Sequence, residues 1–225
     1  VIEVPSVRTR ELDDGYWVIR VSRFQRDSGA EVTAALESAL SEGEVRGIVL
    51  DVRNNPGGVM NASVEMAGNF LDGGLVVYTQ GRHPDSVNTF NAEAGEVIPG
   101  VPLVVLVNGG SASASEIVAG ALQDRGRGVI MGTQSFGKGS VQTVMPLRGD
   151  GGMRLTTARY YTPSGRSIQA LGISPDIIVE QPRRVAEDDE EATETPRRSR
   201  SEADLRGSLN NDSLTEDEIL QIETD

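Results

Sequence analysis

The sequence predicts an α/β fold in which strands and helices alternate. Two continuous aliphatic runs, residues 46–52 (RGIVLDV) and 102–107 (PLVVLV), have the length and composition of buried parallel strands. Each run ends in a turn rich in Asn and Gly, and a segment with helical periodicity follows each turn. Repeated units of this kind favour an α/β core with its functional residues at the carboxyl ends of the strands.

The first half of the chain divides into four elements. Residues 15–22 (GYWVIRVS) predict a strand, because they are rich in aliphatic and aromatic residues. The spacing of Ser28 and Glu31 indicates a capping box, and the apolar residues that follow recur at helical spacing. The run at 46–52 is the next predicted strand, and a helix over roughly 61–71 follows its turn.

The second half repeats the pattern and then changes to antiparallel strands. A strand at 75–78 and a long polar loop precede the buried strand at 102–107, and a helix extends from the next turn to about Asp124. Further strands are predicted at 129–131, 141–146 and 153–158. The last two flank a glycine-rich turn, which is typical of a β-hairpin.

Composition excludes several common classes of catalytic and metal-binding site. The 225 residues include no Cys, one His (His83) and 21 Lys plus Arg, of which Lys138 is the single lysine. Cysteine nucleophiles, disulfides, iron–sulfur sites and zinc clusters are therefore excluded, and no cofactor or metal is expected. No apolar run reaches the ~18 residues of a membrane span, and the first residues lack the pattern of a signal peptide.

The formal net charge of -13 is concentrated at one end of the chain. Residues 186–225 carry 14 acidic and 4 basic residues, whereas residues 1–185 carry 20 acidic and 17 basic residues. This division predicts a folded core over 1–185 and an acidic, mostly disordered tail over 186–225. Nucleic-acid binding needs clustered positive charge, so no nucleic-acid partner is expected.

Ser113 lies where the strand at 102–107 turns into a helix, and Ser113 and Glu116 have the spacing of a capping box. A serine at this position has its hydroxyl near the positive end of the helix dipole and beside the amide of Ala114. Acyl transfer requires such a pair, a nucleophile and an adjacent oxyanion donor. Alternatively, Ser111, Ser113 and Ser115 are only small residues that begin a helix, one of them as its cap.

Two residues could act as the base for such a serine. His83 lies in a polar loop with no strand or helix to fix its ring, which is typical of a surface histidine. Lys138 lies between Gly137 and Gly139. A solvated lysine is protonated at neutral pH, whereas burial without a carboxylate partner can supply a neutral amine. The alternative is that Lys138 is an ordinary solvated charge.

Residues 132–138 (GTQSFGK) also match the first seven positions of a phosphate-binding P-loop. The position that should carry the magnesium-binding Ser or Thr is Gly139. A P-loop must also open a helix, but residues 140–146 have the pattern of a strand. Nucleotide binding therefore stays an alternative that the sequence disfavours.

Four blocks resemble the carboxyl-terminal processing peptidases, also called tail-specific proteases. They are residues 51–58 (DVRNNPGG), 107–117 (VNGGSASASEI), 136–142 (FGKGSVQ) and 161–168 (YTPSGRSI). The resemblance implies a crotonase-like α/β core. It also implies a serine endopeptidase that cleaves polypeptides near their C-termini through an acyl-enzyme.

The resemblance assigns the roles of individual residues. Ser113 would be the nucleophile, Lys138 the general base and Gln142 the residue that orients the lysine. The backbone amides of Gly58 and Ala114 would bind the oxyanion. These assignments agree with the placement of both glycine-rich turns at one edge of the predicted sheet.

Further expectations follow from the resemblance. Asp51 and Arg53 are expected to pair beneath a turn, and residues 160–168 to support the site. Family members carry a PDZ module and a helical cap that residues 1–14 do not contain, so a catalytic core with a tail is expected. Polypeptides are the expected substrates, and a periplasmic or cell-envelope location is implied. A homo-oligomer is left open, as is a scaffold of the same fold that binds peptide or an apolar ligand without catalysis.

Overall fold

Two β-sheets and three α-helices form the part of the chain that the computed structural model describes, residues 5–83, 85–180 and 200–213. In chain order the elements are β1 (Val7–Glu11), β2 (Tyr16–Val21), α1 (Ser28–Glu42), β3 (Gly47–Asp51), α2 (Met60–Gly68), β4 (Gly74–Gly81), β5 (Val87–Ala92), β6 (Leu103–Val107), α3 (Ala114–Asp124), β7 (Val129–Gly132), β8 (Ser140–Pro146), β9 (Gly152–Tyr161) and β10 (Ile177–Ile178). The predicted mixed α/β class is confirmed.

The larger sheet has the strand order β1-β2-β3-β6-β7-β10. Strands β2, β3, β6 and β7 run parallel, and β1 is antiparallel at one edge. Ile48, Leu50 and Val105 on these strands are buried, as the continuous aliphatic runs predict for a sheet covered on both faces. Because the strands are parallel, the loops after β3, β6 and β7 meet at one edge of the sheet.

The smaller sheet is antiparallel, with the order β5-β4-β9-β8. The predicted hairpin of β8 and β9 is present, and β9 continues to Tyr161, which stacks on Tyr78 of β4. Most of β8 is exposed, and the side chain of Val144 retains 68% of its accessible surface. The hairpin therefore extends from the body, while its base joins the loop after β7.

The three helices pack in series, α1 on α2 and α2 on α3. Leu36, Met66 and Leu122 are among the fully buried side chains that form the core with the strands. No helix in the described ranges is long and apolar enough to cross a membrane. The core thus holds the parallel strands rigidly and leaves the loops at their carboxyl ends free to build a site.

The predicted capping box of α1 is wrong. The helix begins at Ser28 with Asp27 as its N-cap. The Glu31 carboxylate instead accepts hydrogen bonds from Ser6 Oγ (2.7 Å) and Val7 N (3.1 Å). Glu31 therefore links the start of β1 to helix α1. The donors at the start of β1 compete with the N-terminal amides of the helix for the Glu31 carboxylate.

Residues 200–213 belong to the tail over 186–225 that was predicted to be mostly disordered, and they pack against the body. Asn211 is buried and donates hydrogen bonds to the carbonyls of Ser167 and Gln169. This segment has few aliphatic residues and is held by hydrogen bonds instead. Amino-acid composition does not reveal such hydrogen bonds. Residues 186–199 and 214–225, the remainder of the predicted tail, lie outside the described residues.

Candidate active site

The turns that follow β3 and β6 are joined by side-chain and backbone hydrogen bonds. Asn108 accepts from the amide of Asn54 (2.8 Å) and donates to its side-chain oxygen (3.0 Å). The carbonyl of Asn55 accepts from the amide of Ala112 (3.0 Å) and from Ser115 Oγ (2.9 Å). The two predicted glycine-rich turns therefore form one rigid unit at the carboxyl edge of the sheet.

The three serines of the second turn differ in what they bind. Ser111 Oγ donates to the carbonyl of Val52 (2.8 Å), and Ser115 Oγ to that of Asn55, and both residues are fully buried. The Ser113 hydroxyl faces the amide of Glu116 in a capping box, donates to no carbonyl within the described residues and is half-buried. Ser111 and Ser115 thus hold the turn in place, and Ser113 keeps a hydroxyl that can react.

The backbone of Ser113 is strained. Its dihedral angles are φ 55° and ψ -112°, in a region that favours glycine. The amide of Ser115 bonds to the carbonyl of Ala112 (3.1 Å), which closes a turn around Ser113. Strain of ~1–3 kcal/mol is characteristic of functional positions. A strained serine between a strand and a helix has the geometry of a nucleophile elbow.

Glu116 joins this elbow to the loop that carries Lys138. Its Oε2 accepts from the amides of Ser113 (2.7 Å) and Lys138 (2.9 Å), and its Oε1 accepts from Ser135 Oγ (2.6 Å) and the amide of Gly137 (2.6 Å). One carboxylate oxygen contacts both amides, so the backbones of Ser113 and Lys138 lie within a few ångströms of each other. The structure therefore brings together the predicted nucleophile and the predicted base.

Sequence reasoning identified Glu116 only as part of a helix cap. Its side chain is completely buried, and this burial raises its pKa to about 7, although the four hydrogen bonds it accepts act in the opposite direction. The Ser113–Glu116 spacing correctly placed the carboxylate at the Ser113 amide. The other three donors come from a loop about twenty residues away, and no local pattern points to them.

The lysine loop, residues 133–139, connects β7 to β8. Lys138 is half-buried, and the glycines on both sides are bonded to residues 169 and 170. The carbonyl of Gly137 accepts from Ala170 N (2.8 Å), and the amide of Gly139 donates to Gln169 Oε1 (3.2 Å). The loop leads into a strand and opens no helix, so the P-loop alternative lacks the helix it needs.

Gly58 and Ala114, the predicted oxyanion donors, carry amides without an acceptor in the part of the chain that the structure describes. Gly58 forms an isolated parallel bridge with Phe24, which leaves its own N–H pointing away from Phe24. A side chain at the preceding glycine, Gly57, would lie 2.8 Å from Ser113 Cβ and 2.9 Å from the amide of Ala114. The glycine turn therefore lies directly against the elbow.

Gln142 and His83 make no hydrogen bond to Lys138 within the described residues. Gln142 is exposed on β8 beside a bulge, and its side chain makes no hydrogen bond within the described residues. The role of Gln142 in orienting Lys138 therefore stays a prediction. His83 lies in the turn between β4 and β5, is 75% exposed and has Asp85 3.6 Å away, as expected of a surface histidine.

Asp51 and Arg53 form the predicted pair beneath the first turn. Arg53 donates to both carboxylate oxygens of Asp51 (2.9 and 2.8 Å), and Arg20 lies 2.7 Å away. Burial raises the pKa of Asp51, but the bonds from the two arginines outweigh it and leave this pKa below its ordinary value. The buried carboxylate therefore stays ionised and anchors the end of β3.

No group of three or more His, Cys, Asp or Glu suited to a metal ion occurs among residues 5–83, 85–180 and 200–213. The donors gathered at the sheet edge are amides and hydroxyls instead. A half-buried serine, a lysine loop and two unpaired amides define the class of site found in serine hydrolases.

Residues 15–179 match the model of peptidase family S41. The chain is 50% identical over 186 residues to the carboxy-terminal-processing protease of Bartonella bacilliformis and 45% identical over 164 residues to that of Synechocystis. These matches cover 81% and 73% of the chain, but 42% and 38% of the relatives. The chain therefore belongs to peptidase family S41, the carboxyl-terminal processing serine proteases, and spans about two fifths of the length of these relatives.

A solved structure gives the same result for the fold. The photosystem II D1 C-terminal processing protease superposes with a TM-score of 0.71 at 34% sequence identity. The match covers 80% of this chain and 49% of that protein. The chain therefore shares its mixed α/β fold with this processing protease, over about half of that protein's length.

Proposed function

We propose that the chain is the catalytic core of a serine endopeptidase that cleaves polypeptides near their C-termini, with Ser113 as nucleophile and Lys138 as general base. The observation that carries this proposal is the Glu116 carboxylate, which holds the strained elbow and the lysine loop on one oxygen. A core of crotonase type and a periplasmic or cell-envelope location belong to the same proposal. Family membership supports the reaction class.

The first half of the reaction forms an acyl-enzyme. Ser113 Oγ attacks the carbonyl carbon of the scissile peptide while its proton passes to Lys138 Nζ, which acts as the general base. The amides of Gly58 and Ala114 donate to the oxyanion that develops on the carbonyl oxygen. The tetrahedral intermediate then collapses, the C–N bond breaks, and the Lys138 ammonium gives its proton to the leaving amine.

The second half hydrolyses the ester between Ser113 and the substrate. Lys138 takes a proton from a water molecule, whose oxygen attacks the same carbonyl carbon under the same oxyanion donors. The C–O bond to Ser113 breaks, the serine regains a proton from Lys138, and the shortened polypeptide leaves with a new carboxyl terminus. No metal or cofactor enters either half in this proposal.

Polypeptide cleavage tests this proposal. The chain should cleave an unstructured polypeptide, and Ser113→Ala should abolish the cleavage. Lys138→Arg should also abolish it, because a guanidinium keeps the charge but cannot serve as a base. Cleavage that survives either substitution in folded protein would show that the roles are misassigned. Arg148→Ala, on the exposed hairpin turn, is the matched control and should cleave like the wild type.

A further inference from the structure

The strap, residues 200–213, contacts the lysine loop through atoms other than those that Glu116 binds. At one end the amide of Glu202 donates to the carbonyl of Phe136 (2.9 Å), two residues before Lys138. At the other end Asp212 contacts Arg159 (2.9 Å) and accepts a hydrogen bond from the Tyr161 hydroxyl. The strap therefore runs from the lysine loop to the end of β9.

Gln169 connects the strap to the residue after the lysine. Its side chain is fully buried, and its two polar atoms have different partners. Oε1 accepts from the amide of Gly139 (3.2 Å), and Nε2 donates to the carbonyl of Leu209 in the strap (3.2 Å). Because Gln169 Nε2 donates to the carbonyl of Leu209, the side-chain oxygen of Gln169 is the atom that faces the amide of Gly139. The strap thus fixes the orientation of a buried amide that holds the lysine loop.

Asn211 fixes the strap to the same segment. Its side-chain nitrogen donates to the carbonyls of Ser167 (3.0 Å) and Gln169 (2.6 Å). Asn211 is the buried polar residue of the strap, and its own oxygen accepts from the amide of Ser213 (2.8 Å). Loss of this side chain would leave two buried carbonyls without partners, which is costly.

We propose that the strap is a positioning element for Lys138, with Asn211 and Gln169 as its positioning residues. The inference rests on the proposed role of Lys138 as general base. Glu116 binds the amides of Gly137 and Lys138, and the strap contacts the next residue of the loop, Gly139, through Gln169. Within the described residues no hydrogen bond of the strap reaches Ser113, Ala114 or Gly58, so the strap supports the site without occupying it.

The test compares Asn211→Ala with Asn210→Ala. The two residues are adjacent and of the same type, but Asn210 is exposed and makes no hydrogen bond in the described part of the chain. A fluorophosphonate probe is added to the full chain, and both the labelled fraction and the rate constant of labelling are measured. The labelled fraction counts competent protein, whereas the rate constant reports how well Lys138 activates Ser113.

Asn211→Ala should lower the rate constant about tenfold, and Asn210→Ala should leave it unchanged, because small displacements of a catalytic group cost large factors in rate. A purely structural role would lower the labelled fraction and the melting temperature but not the rate constant, and would overturn the proposal. A higher rate constant in Asn211→Ala would also overturn it, because the strap would then obstruct the site. Gln169→Glu, which sets a carboxylate oxygen against the Leu209 carbonyl, should slow labelling as well.

If the proposed peptidase function is wrong, the labelling experiment gives a different set of results. If the wild type is not labelled, or if labelling persists in Ser113→Ala, the peptidase proposal is wrong and the strap has no base to position. If labelling depends on Ser113 and Lys138 and is equally fast in Asn211→Ala, only the inference about the strap is wrong.

Discussion

At the scale of single residues, the site depends on a serine in a conformation that serine avoids and on a carboxylate in a place where carboxylates are rare. Ser113 has φ 55°, and Glu116 is completely buried. The two features are linked, because the Glu116 carboxylate accepts from the amide of Ser113. The hydrogen bonds of the surrounding turns therefore sustain the strain.

Relief of that strain should be measurable. Ser113→Gly should unfold with a free energy about 1 kcal/mol higher than Ser113→Ala, because glycine removes the strain at a smaller entropic cost. Urea denaturation of both variants measures the difference. Ser38, exposed on α1, is the control site. There Ser38→Gly should be less stable than Ser38→Ala, and the same order at both sites would contradict the strain at Ser113.

The raised pKa of Glu116 predicts a pH dependence. The folded protein holds the Glu116 proton up to about pH 7, whereas the unfolded chain releases it near the ordinary glutamate pKa of 4.5. The folded state therefore binds more protons between these values, and this group makes stability fall as pH rises through the interval. Between pH 5 and pH 8 the wild type should lose more free energy of unfolding than Glu116→Gln.

Equal pH dependence in the wild type and Glu116→Gln would contradict this prediction. Glu37→Gln, on the exposed face of α1, is the control and should follow the wild type. At pH 8 Glu116→Gln should also cleave substrate at least about tenfold more slowly. Its amide nitrogen cannot accept the hydrogen bonds that hold the elbow and the lysine loop.

At the scale of elements, the sequence predicted the strands and helices whose buried residues recur in a regular pattern. It did not predict the elements and contacts that depend only on tertiary packing. The parallel strands were predicted because both of their faces are covered. Strands β1, β5 and β10 were not predicted, because they are short or largely exposed and carry no alternating pattern. The sequence singled out Ser113 and Lys138, but not Gln169 or the loop partners of Glu116, whose contacts join residues far apart in the chain.

The junction of the lysine loop and β8 should tolerate no side chain. A Cβ at Gly139 would overlap the backbone nitrogen of Gln169, which cannot move without shifting the segment that holds the loop. Gly139→Ala should therefore lower the cleavage rate by at least about tenfold and destabilise the fold by ~1–3 kcal/mol. Gly151→Ala, in the hairpin turn, meets nothing within 4 Å and is the control. A fully active Gly139→Ala would contradict the close packing at this junction.

At the scale of the whole molecule, the boundary that charge predicts for the folded core differs from the extent of the packed residues. The acidic residues beyond 185 predict a disordered tail, yet residues 200–213 pack on the body through buried polar contacts. Composition reports how much apolar surface a segment can bury, and it does not report hydrogen bonds to distant carbonyls. The boundary of the folded unit was therefore the least predictable feature.

Deletion of residues 200–225 tests the boundary. The remaining chain should still melt cooperatively, because the strands and helices of the core precede the strap. Its melting temperature should fall by ~5–10 °C, as expected for the loss of two or three buried hydrogen bonds. An unchanged melting temperature would show that the strap contributes nothing to the fold. A transition without cooperativity would show that the core does not fold without it.

The central claim is that Ser113, activated by Lys138, is the nucleophile. Mass spectrometry of the fluorophosphonate-treated chain tests it most directly, because the probe is small and its adduct can be located on a single residue. We expect one adduct per chain, on Ser113, that is lost in Lys138→Ala. Ser111 and Ser115 lie two residues away but are buried and hydrogen-bonded, and should stay unmodified. An adduct on either neighbour, or full labelling of folded Lys138→Ala, would contradict the account.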